Sequence, residues 1–392
     1  MFCHKAADGL SGTRVLYLTP GCFDKGGISR YSRYQIRAWR EIFGPANVRV
    51  FSVLGPDGES FEDPVATSFY AGSLRLFDKA RYVGAVTHGA LAGRPHLVVA
   101  AHVNLSGLAH VLARATGAVS ALNVYGSEMW SGFRLDAKWG LEGIDHVVAD
   151  CHFTARYVEA SGHRPRGTIE VVWDCVDLDR FSPAAPDPHV LRRYAIPHPD
   201  TGFNLLTLGR MSGDAAHKGY DRLLTVFGRL APRHPRLHLV FAGRGDLVQT
   251  LRARAASMGL ADRVSFTGMV HERDLPDVYR SAHFFSLVSD RGPARGEGLP
   301  LTPLEASACG VPILVGDQDG SAEAVVDGRN GFVLDPFDLT AQASRITQLI
   351  ENVPLRDSLA RGAADVAREL FSYQRFRDQH ATLSHAWLKR RP

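Results

Sequence analysis

Cysteine is scarce. Cys3, Cys22, Cys151, Cys175 and Cys309 are scattered through 392 residues, odd in number, with no Cys-x-x-Cys pair. That argues against a disulfide framework and predicts reduced thiols in a cytoplasmic setting. No apolar run approaches the ~20 residues that span a bilayer. The stretch Met1 to Thr13 has no apolar core, so no secretory signal is expected. Charge of one sign is also lacking. A net +4 without an aromatic-basic platform argues against nucleic-acid binding. There is no G-x-S-x-G elbow, no phosphate loop ending Gly-Lys-Ser/Thr and no G-x-G-x-x-G. Among 17 histidines no H-E-x-x-H or comparable ligand spacing occurs. These absences remove the simplest hydrolase, nucleotide-triphosphatase, dinucleotide and zinc-enzyme readings.

What is present is an alternation. A single core rarely grows beyond ~250–300 residues, so this length predicts two domains. Short apolar strands are expected at Arg14–Thr19, Val48–Leu54, His96–Ala101, Val119–Val124, His146–Ala149 and Ile169–Val172. A second series is expected at Asn204–Leu208, Leu237–Ala242, Val264–Thr267, Phe284–Leu287, Pro312–Val315 and Gly331–Leu334. Helical stretches lie between them, as in parallel, doubly wound sheets. Pro183, Pro186, Pro188, Pro197 and Pro199 crowd residues 182–203 and predict a linker or domain boundary. The expected domains are 1–185 and 200–371, with a helix over 372–392 packing back toward the first. Two such halves imply a cleft, with ligands at the carboxyl ends of the strands.

Several loops carry chemistry. Glu297 and Glu305 flank Gly298-Leu299-Pro300-Leu301, a turn that enters a helix. Its free N–H groups and helix dipole suit a phosphate, and the flanking carboxylates suit hydroxyls. That combination describes a nucleotide-sugar. Thr302-Pro303-Leu304-Glu305 also reads as a capping box, with Pro at the first helical position. Gly26-Gly27 follows the first strand and is either a plain turn or a place for close ligand approach. Gly209-Arg210 and Lys218-Gly219 follow the first strand of the second half, where two cations suit a diphosphate. Asp177-Leu178-Asp179 and Asp317-Gln318-Asp319 have a spacing that can hold a divalent metal, although it is short and common. His102, after the His96–Ala101 strand, is either an acid/base or hydroxyl binder or a structural histidine. Arg30, Arg33, Arg37 and Arg40 line one face of a helix over 28–43. They form a solvated face or a contact with an anionic membrane.

Taken together, Gly209-Arg210, Lys218-Gly219, Phe266-Thr267-Gly268, Glu297 and Glu305, and Ala308-Cys309-Gly310-Val311-Pro312 form a recognisable series. Gly320, Glu323, Gly328, Asn330-Gly331 and Asp177-Leu178-Asp179-Arg180-Phe181 extend it. On these residues the chain resembles the retaining glycosyltransferases of family 4, also called group 1. The resemblance implies the GT-B fold, two Rossmann-like parallel-sheet domains facing a central cleft. It implies transfer of a sugar from a nucleoside-diphosphate sugar to a glycan or lipid-linked acceptor, as in cell-surface polysaccharide synthesis. Arg210 and Lys218 would hold the diphosphate in place of a metal, so no metal or other cofactor is expected. Glu297 would contact the donor sugar and Glu305 the ribose. Gly27, Gly209, Gly298, Leu299, Pro300, Leu301 and Val270 would line the donor site. His102 would assist catalysis, and Tyr125, Glu128 and Trp130 would meet the acceptor. UDP- and GDP-sugars both remain open as donors. Peripheral attachment to the inner face of a membrane would suit a lipid-linked acceptor.

Three positions depart from the family pattern: Pro300 lacks an N–H, Tyr125 stands where His is frequent, and Asp174 stands where Asn is usual. A nucleotide-sugar epimerase and a non-catalytic sugar-nucleotide- or glycan-binding protein are the competing readings.

Overall fold

The computed structural model describes residues 12–24, 26–56, 65–130, 132, 134–292 and 294–389. Cys3 and most of the N-terminal run considered above lie outside the described residues. The chain divides into two compact units, Met1–Cys175 with Tyr373–Pro392, and Val176–Ser372.

The first unit contains β1 (Val15–Thr19), α1 (Gly27–Phe43), β2 (Val48–Leu54), β3 (Phe69–Gly72), α2 (Leu76–Gly93) and β4 (Leu97–Ala100). It continues with α3 (Ser106–Thr116), β5 (Val119–Val124), α4 (Ser127–Trp130), α5 (Leu135–Gly143), β6 (His146–Ala149), α6 (His152–Ala160) and β7 (Ile169–Val171). The strands form one sheet in the order β3-β2-β1-β4-β5-β6-β7, all pairs parallel. Parallel strands covered on both faces read as continuous apolar runs. Accordingly β1, Val-Leu-Tyr-Leu-Thr, is buried at every position.

The second unit contains α7 (Pro188–Arg193), β8 (Phe203–Leu208), α8 (Tyr220–Leu230), β9 (Leu237–Ala242), α9 (Leu247–Ser257), β10 (Val264–Phe266) and α10 (Leu275–Arg280). Then come β11 (Phe284–Leu287), α11 (Leu301–Ala308), β12 (Ile313–Gly316), β13 (Gly331–Leu334), α12 (Leu339–Glu351) and α13 (Val353–Leu370). Its parallel sheet has the order β10-β9-β8-β11-β12-β13. The last helix, α14 (Tyr373–Lys389), belongs to the first unit. It packs on α1 through Phe376 against Tyr31 and His380 against Trp39, with His380 Nε2 2.7 Å from Gln35 Nε2.

Two expectations are corrected. The proline-rich run is no free linker, because it lies inside the second unit. Arg193 Nη1 and the Tyr194 hydroxyl both bond the buried carboxylate of Asp274, at 2.6 and 2.8 Å, and Arg280 Nε donates to Ser182 O at 2.8 Å. The prolines shape a packed segment. The arginine stripe of α1 is likewise no open cationic face. Arg30 is buried. Arg33 donates to the carbonyls of Cys22 and Asp24 at 3.1 and 2.8 Å, and Arg40 reaches the Ala66 carbonyl. Arg37 pairs with Glu41 at 3.0 Å and covers the Tyr373 ring.

Candidate functional site

Strand order reverses between β8 and β11 in the second sheet, and ligands of such sheets sit at this switch point. Both loops that leave it carry charge. The loop after β8 ends in a 3-10 turn, Gly213–Lys218, and the loop after β11 runs to α11. Asp290 N donates to His217 O at 2.8 Å, tying one loop to the other. Across them Lys218 Nζ lies 2.7 Å from Glu297 Oε1, and His217 Nε2 lies 2.5 Å from the same oxygen. Burial pushes the Glu297 carboxyl up, but Lys218 and His217 outweigh it and hold the pKa at about 2. Glu297 is therefore an ionised acceptor whose side chain is still 16% exposed.

The backbone of Glu297 is held as firmly as its carboxylate. Its N–H donates to Asp319 Oδ2 at 3.0 Å, and its carbonyl accepts from Gly320 N at 3.1 Å. Asp319 also accepts from Ser289 Oγ at 2.8 Å and from Ser321 N at 3.0 Å. Burial, and then the charge of Glu297, push its carboxyl up to about 6. The Asp317–Asp319 spacing thus serves a cap and a clamp. Asp177 likewise accepts from Asp179 N at 3.1 Å in its own turn.

Gly209 is required sterically. A Cβ there would lie 2.7 Å from Tyr220 Oη and 3.5 Å from Lys218 Cδ. The lysine stem therefore lies close to the glycine. Arg210 takes a different course, 2.8 Å from Asp214, with its side chain 67% exposed. The two cations expected to act together are held by different carboxylates.

The capping-box alternative for Glu305 fails. Pro300 is the N-cap, with no side-chain cap bond, so Pro303 is the third helical residue and Glu305 the fifth. Glu305 is 1% exposed and accepts from the Tyr279 hydroxyl at 2.7 Å. Pro300 and Pro303 have no N–H, so Leu301 and Thr302 supply the first helical N–H groups. Gly298, Leu299 and Leu301 are buried around this turn. Val270 is buried beyond β10, next to the loop in which Gly268 O accepts from Gly243 N at 3.0 Å.

In the first unit the equivalent reversal falls between β1 and β4. Gly27 begins α1 there, exposed, and a Cβ on it would meet nothing within 4 Å. Packing within the chain gives no reason for a glycine. His102 caps the turn Val103–Leu105, its Nδ1 accepting from Asn104 N at 3.1 Å. Burial lowers its pKa to about 4. The ring is thus neutral, with its proton on Nε2, a donor to a hydroxyl rather than a base.

Beyond β5, Tyr125 stacks edge-on with Tyr31 at 4.9 Å, and its hydroxyl has no hydrogen-bond partner among the described residues. Glu128 Oε1 accepts from Tyr125 N at 2.6 Å. Burial raises the Glu128 pKa to about 7 despite that bond. Asp174 is buried near Tyr31 and Tyr125 and adds to the burial that raises both phenols. Trp130 belongs to the core, 3% exposed and packed edge-on against Tyr157 at 4.4 Å. It offers no surface to an acceptor.

Sequence reasoning missed His217, Asp319, Tyr279 and Ser289. His217 adjoins Lys218, and Asp319 sat in a pattern read for metal. No spacing signal marked Tyr279 or Ser289.

Residues 193–366 match the family model described as Glycosyl transferases group 1. The chain is 31% identical over 278 residues to the GDP-mannose-dependent alpha-(1-6)-phosphatidylinositol monomannoside mannosyltransferase of Mycobacterium tuberculosis, covering 70% of this chain and 68% of that protein. It is 36% identical over 219 residues to the mannosylfructose-phosphate synthase of Agrobacterium fabrum, covering 53% of this chain but only 45% of that protein. Among solved structures, Anabaena HepE in complex with UDP superposes with a TM-score of 0.76 at 18% identity, over 95% of this chain and 100% of that one. That likeness establishes the fold, GT-B, alone.

Proposed function

Because the chain belongs to the group 1 glycosyl transferases, we propose that it moves a sugar from a nucleoside-diphosphate sugar to a glycan or lipid-linked acceptor, with retention of anomeric configuration. The observation that carries this reading is the Lys218–Glu297 pair at 2.7 Å, at the switch point beside the α11 N-terminus. Departure of the nucleotide places negative charge on phosphate oxygens. Lys218, Arg210 released from Asp214, and the N–H groups of Leu299 and Leu301 would meet that charge without a metal. Ionised Glu297 would accept from donor-sugar hydroxyls, and Glu305, oriented by Tyr279, from the ribose. The small Gly27 leaves room for a ligand to approach backbone. With no enzymic nucleophile assigned, displacement on one face through an oxocarbenium-like transition state fits retention. His102, as a donor, and Glu128 and Tyr125 would receive a hydroxyl-bearing acceptor.

The mannosyltransferase relative named as GDP-mannose-dependent favours a GDP-sugar over a UDP-sugar here. The phosphatidylinositol monomannoside in that relative's name favours a lipid-linked acceptor here. No helix among the described residues is long and apolar enough to cross a membrane.

The test is calorimetry with GDP, UDP, ADP and their common sugars in EDTA, with Glu305→Ala and Arg210→Ala alongside. Binding of one nucleotide class without metal, weakened about tenfold or more in both variants, is expected. No binding to any of them would withdraw the donor roles. Nucleotide release on adding acceptor separates transfer from epimerisation.

A further inference from the structure

The sequence left α1 as either a solvated face or a membrane contact, and its arginines turn out to be engaged within the chain. Among the described residues, strongly exposed large apolar side chains lie elsewhere, Leu135 (86%) and Trp139 (52%) on α5 and a larger group on and just before α2. Leu76 and Phe77, at the start of α2, are 85% and 74% exposed, and Leu74 just before them is 60% exposed. Farther along the same helix Val83 and Leu91 are 45% and 56% exposed. The inner side of α2 is fully used, with Tyr82, Val86, Gly89 and Ala90 buried. A helix apolar on both sides is ordinarily covered on both. Here one side meets solvent.

Charge gathers at the end where the apolar exposure is greatest. Arg75, Lys79 and Arg81 are all exposed there. The acid among them, Asp78, is 19% exposed and already bonded by Arg81 at 3.2 Å and Ser73 at 2.5 Å. Arg81 also lies 5.9 Å from the Phe77 ring centre, cation beside aromatic.

From this placement we infer that the outer face of α2, led by Leu74, Leu76 and Phe77, is the surface by which the protein docks on a bilayer containing anionic lipid. The apolar tip enters the headgroup–acyl boundary while Arg75 and Lys79 remain level with the phosphates. A second copy fits this face poorly. A two-fold contact is self-complementary and would bring the same cations against each other. The inference depends on a membrane-associated acceptor but not on the identity of the donor.

Co-sedimentation of the full chain with phosphatidylcholine vesicles, with and without phosphatidylglycerol, tests it. Binding is expected only with the anionic lipid, and to weaken as salt rises. Leu76→Glu with Phe77→Glu is expected to weaken it by about tenfold or more, since each side chain loses its apolar insertion. Arg75→Ser with Lys79→Ser is expected to flatten the salt dependence. Arg37→Ser on α1 is expected to leave both unchanged. Circular dichroism and nucleotide calorimetry report whether each variant is folded. Binding that ignores the α2 variants overturns the inference, as does failure to bind anionic vesicles while the nucleotide still binds. If light scattering without lipid reveals a dimer that the α2 variants dissociate, the face belongs to a second copy and the inference falls. Loss of nucleotide binding alone would count against the donor reading and leave this one standing.

Discussion

The two sheets reverse strand order in the same way, yet their switch points are furnished differently. In the second unit the loops after β8 and β11 are tied by a backbone bond and closed by Lys218 and His217, both on one Glu297 carboxylate oxygen. In the first, the loops after β1 and β4 carry a bare glycine and a neutral histidine, with Glu128 pushed up to about 7 beyond the next strand. One set of groups is ionised and oriented, the other mostly uncharged near neutrality. Preorganised charge suits a leaving diphosphate. Uncharged donors and acceptors suit hydroxyls, which gain little from a full charge they must first desolvate. The same strand reversal is thus furnished with two different sets of groups, decided by loop residues rather than by the sheet.

Removing the charge of the second site should break this contrast most severely. If the proposed donor site is right, Lys218→Ala removes a fixed cation from the leaving group, and kcat is expected to fall about 10²–10³-fold. Steady-state turnover measures it; a loss below tenfold would make Lys218 a structural residue. The same groups have a signature in stability. The Glu297 pKa falls from 4.5 to about 2, because burial, which raises it, is outweighed by Lys218 and by the bond to His217. The stability it contributes is full above pH 4.5 and lost as pH falls toward 2. Glu297→Gln should therefore flatten the acid limb of Tm against pH.

A smaller effect is expected one contact away. Asp319 touches the backbone of Glu297, so its removal should misplace a carboxylate that remains charged. Asp319→Ala is expected to lower kcat/KM about tenfold, with Asp319→Asn between it and the parent, since Asn keeps one acceptor for the Glu297 N–H. Equal activity in all three proteins would show that the clamp is dispensable.

The smallest effect belongs to the first unit. Glu128 has its pKa raised by burial, so the folded state favours its protonated form. The stability this contributes is full below pH 4.5 and lost as pH rises through about 7. Asp319 acts in the same direction, so the informative quantity is the difference between variant and parent. Glu128→Gln should lose less Tm between pH 5 and 8 than the parent does. Parallel curves would place the Glu128 carboxyl in ordinary contact with water.

Much of the architecture was legible. The strands at Val48–Leu54, Val119–Val124, His146–Ala149, Leu237–Ala242, Phe284–Leu287 and Gly331–Leu334 have the expected bounds. Continuous apolar runs between helical stretches can hardly be anything else. The edge strand β3, Phe-Tyr-Ala-Gly, was missed because its apolar run is only three residues long and ends in glycine; at the sheet edge only Ala71 of the four is buried. Helix α2 escaped because apolar residues on both its sides erase the periodicity that marks an amphipathic helix. The proline cluster misled because φ restriction is the same in a linker and in a packed segment; only the bonds to Asp274 distinguish them.

The sequence by itself determined two parallel α/β halves, the loops that carry charge and the Glu297–Glu305 spacing, because these follow from local patterns along the chain. Only the tertiary structure decided which groups meet. Lys218 and Glu297 are 79 residues apart, and Asp319 lies 22 beyond Glu297. Their contact exists because parallel order places β8 beside β11 and β11 beside β12, bringing the following loops to one edge. Burial was decided there too. It turns Trp130 into core, makes His102 a neutral donor and raises Glu128, because desolvation depends on everything packed around a group and on nothing in its immediate sequence.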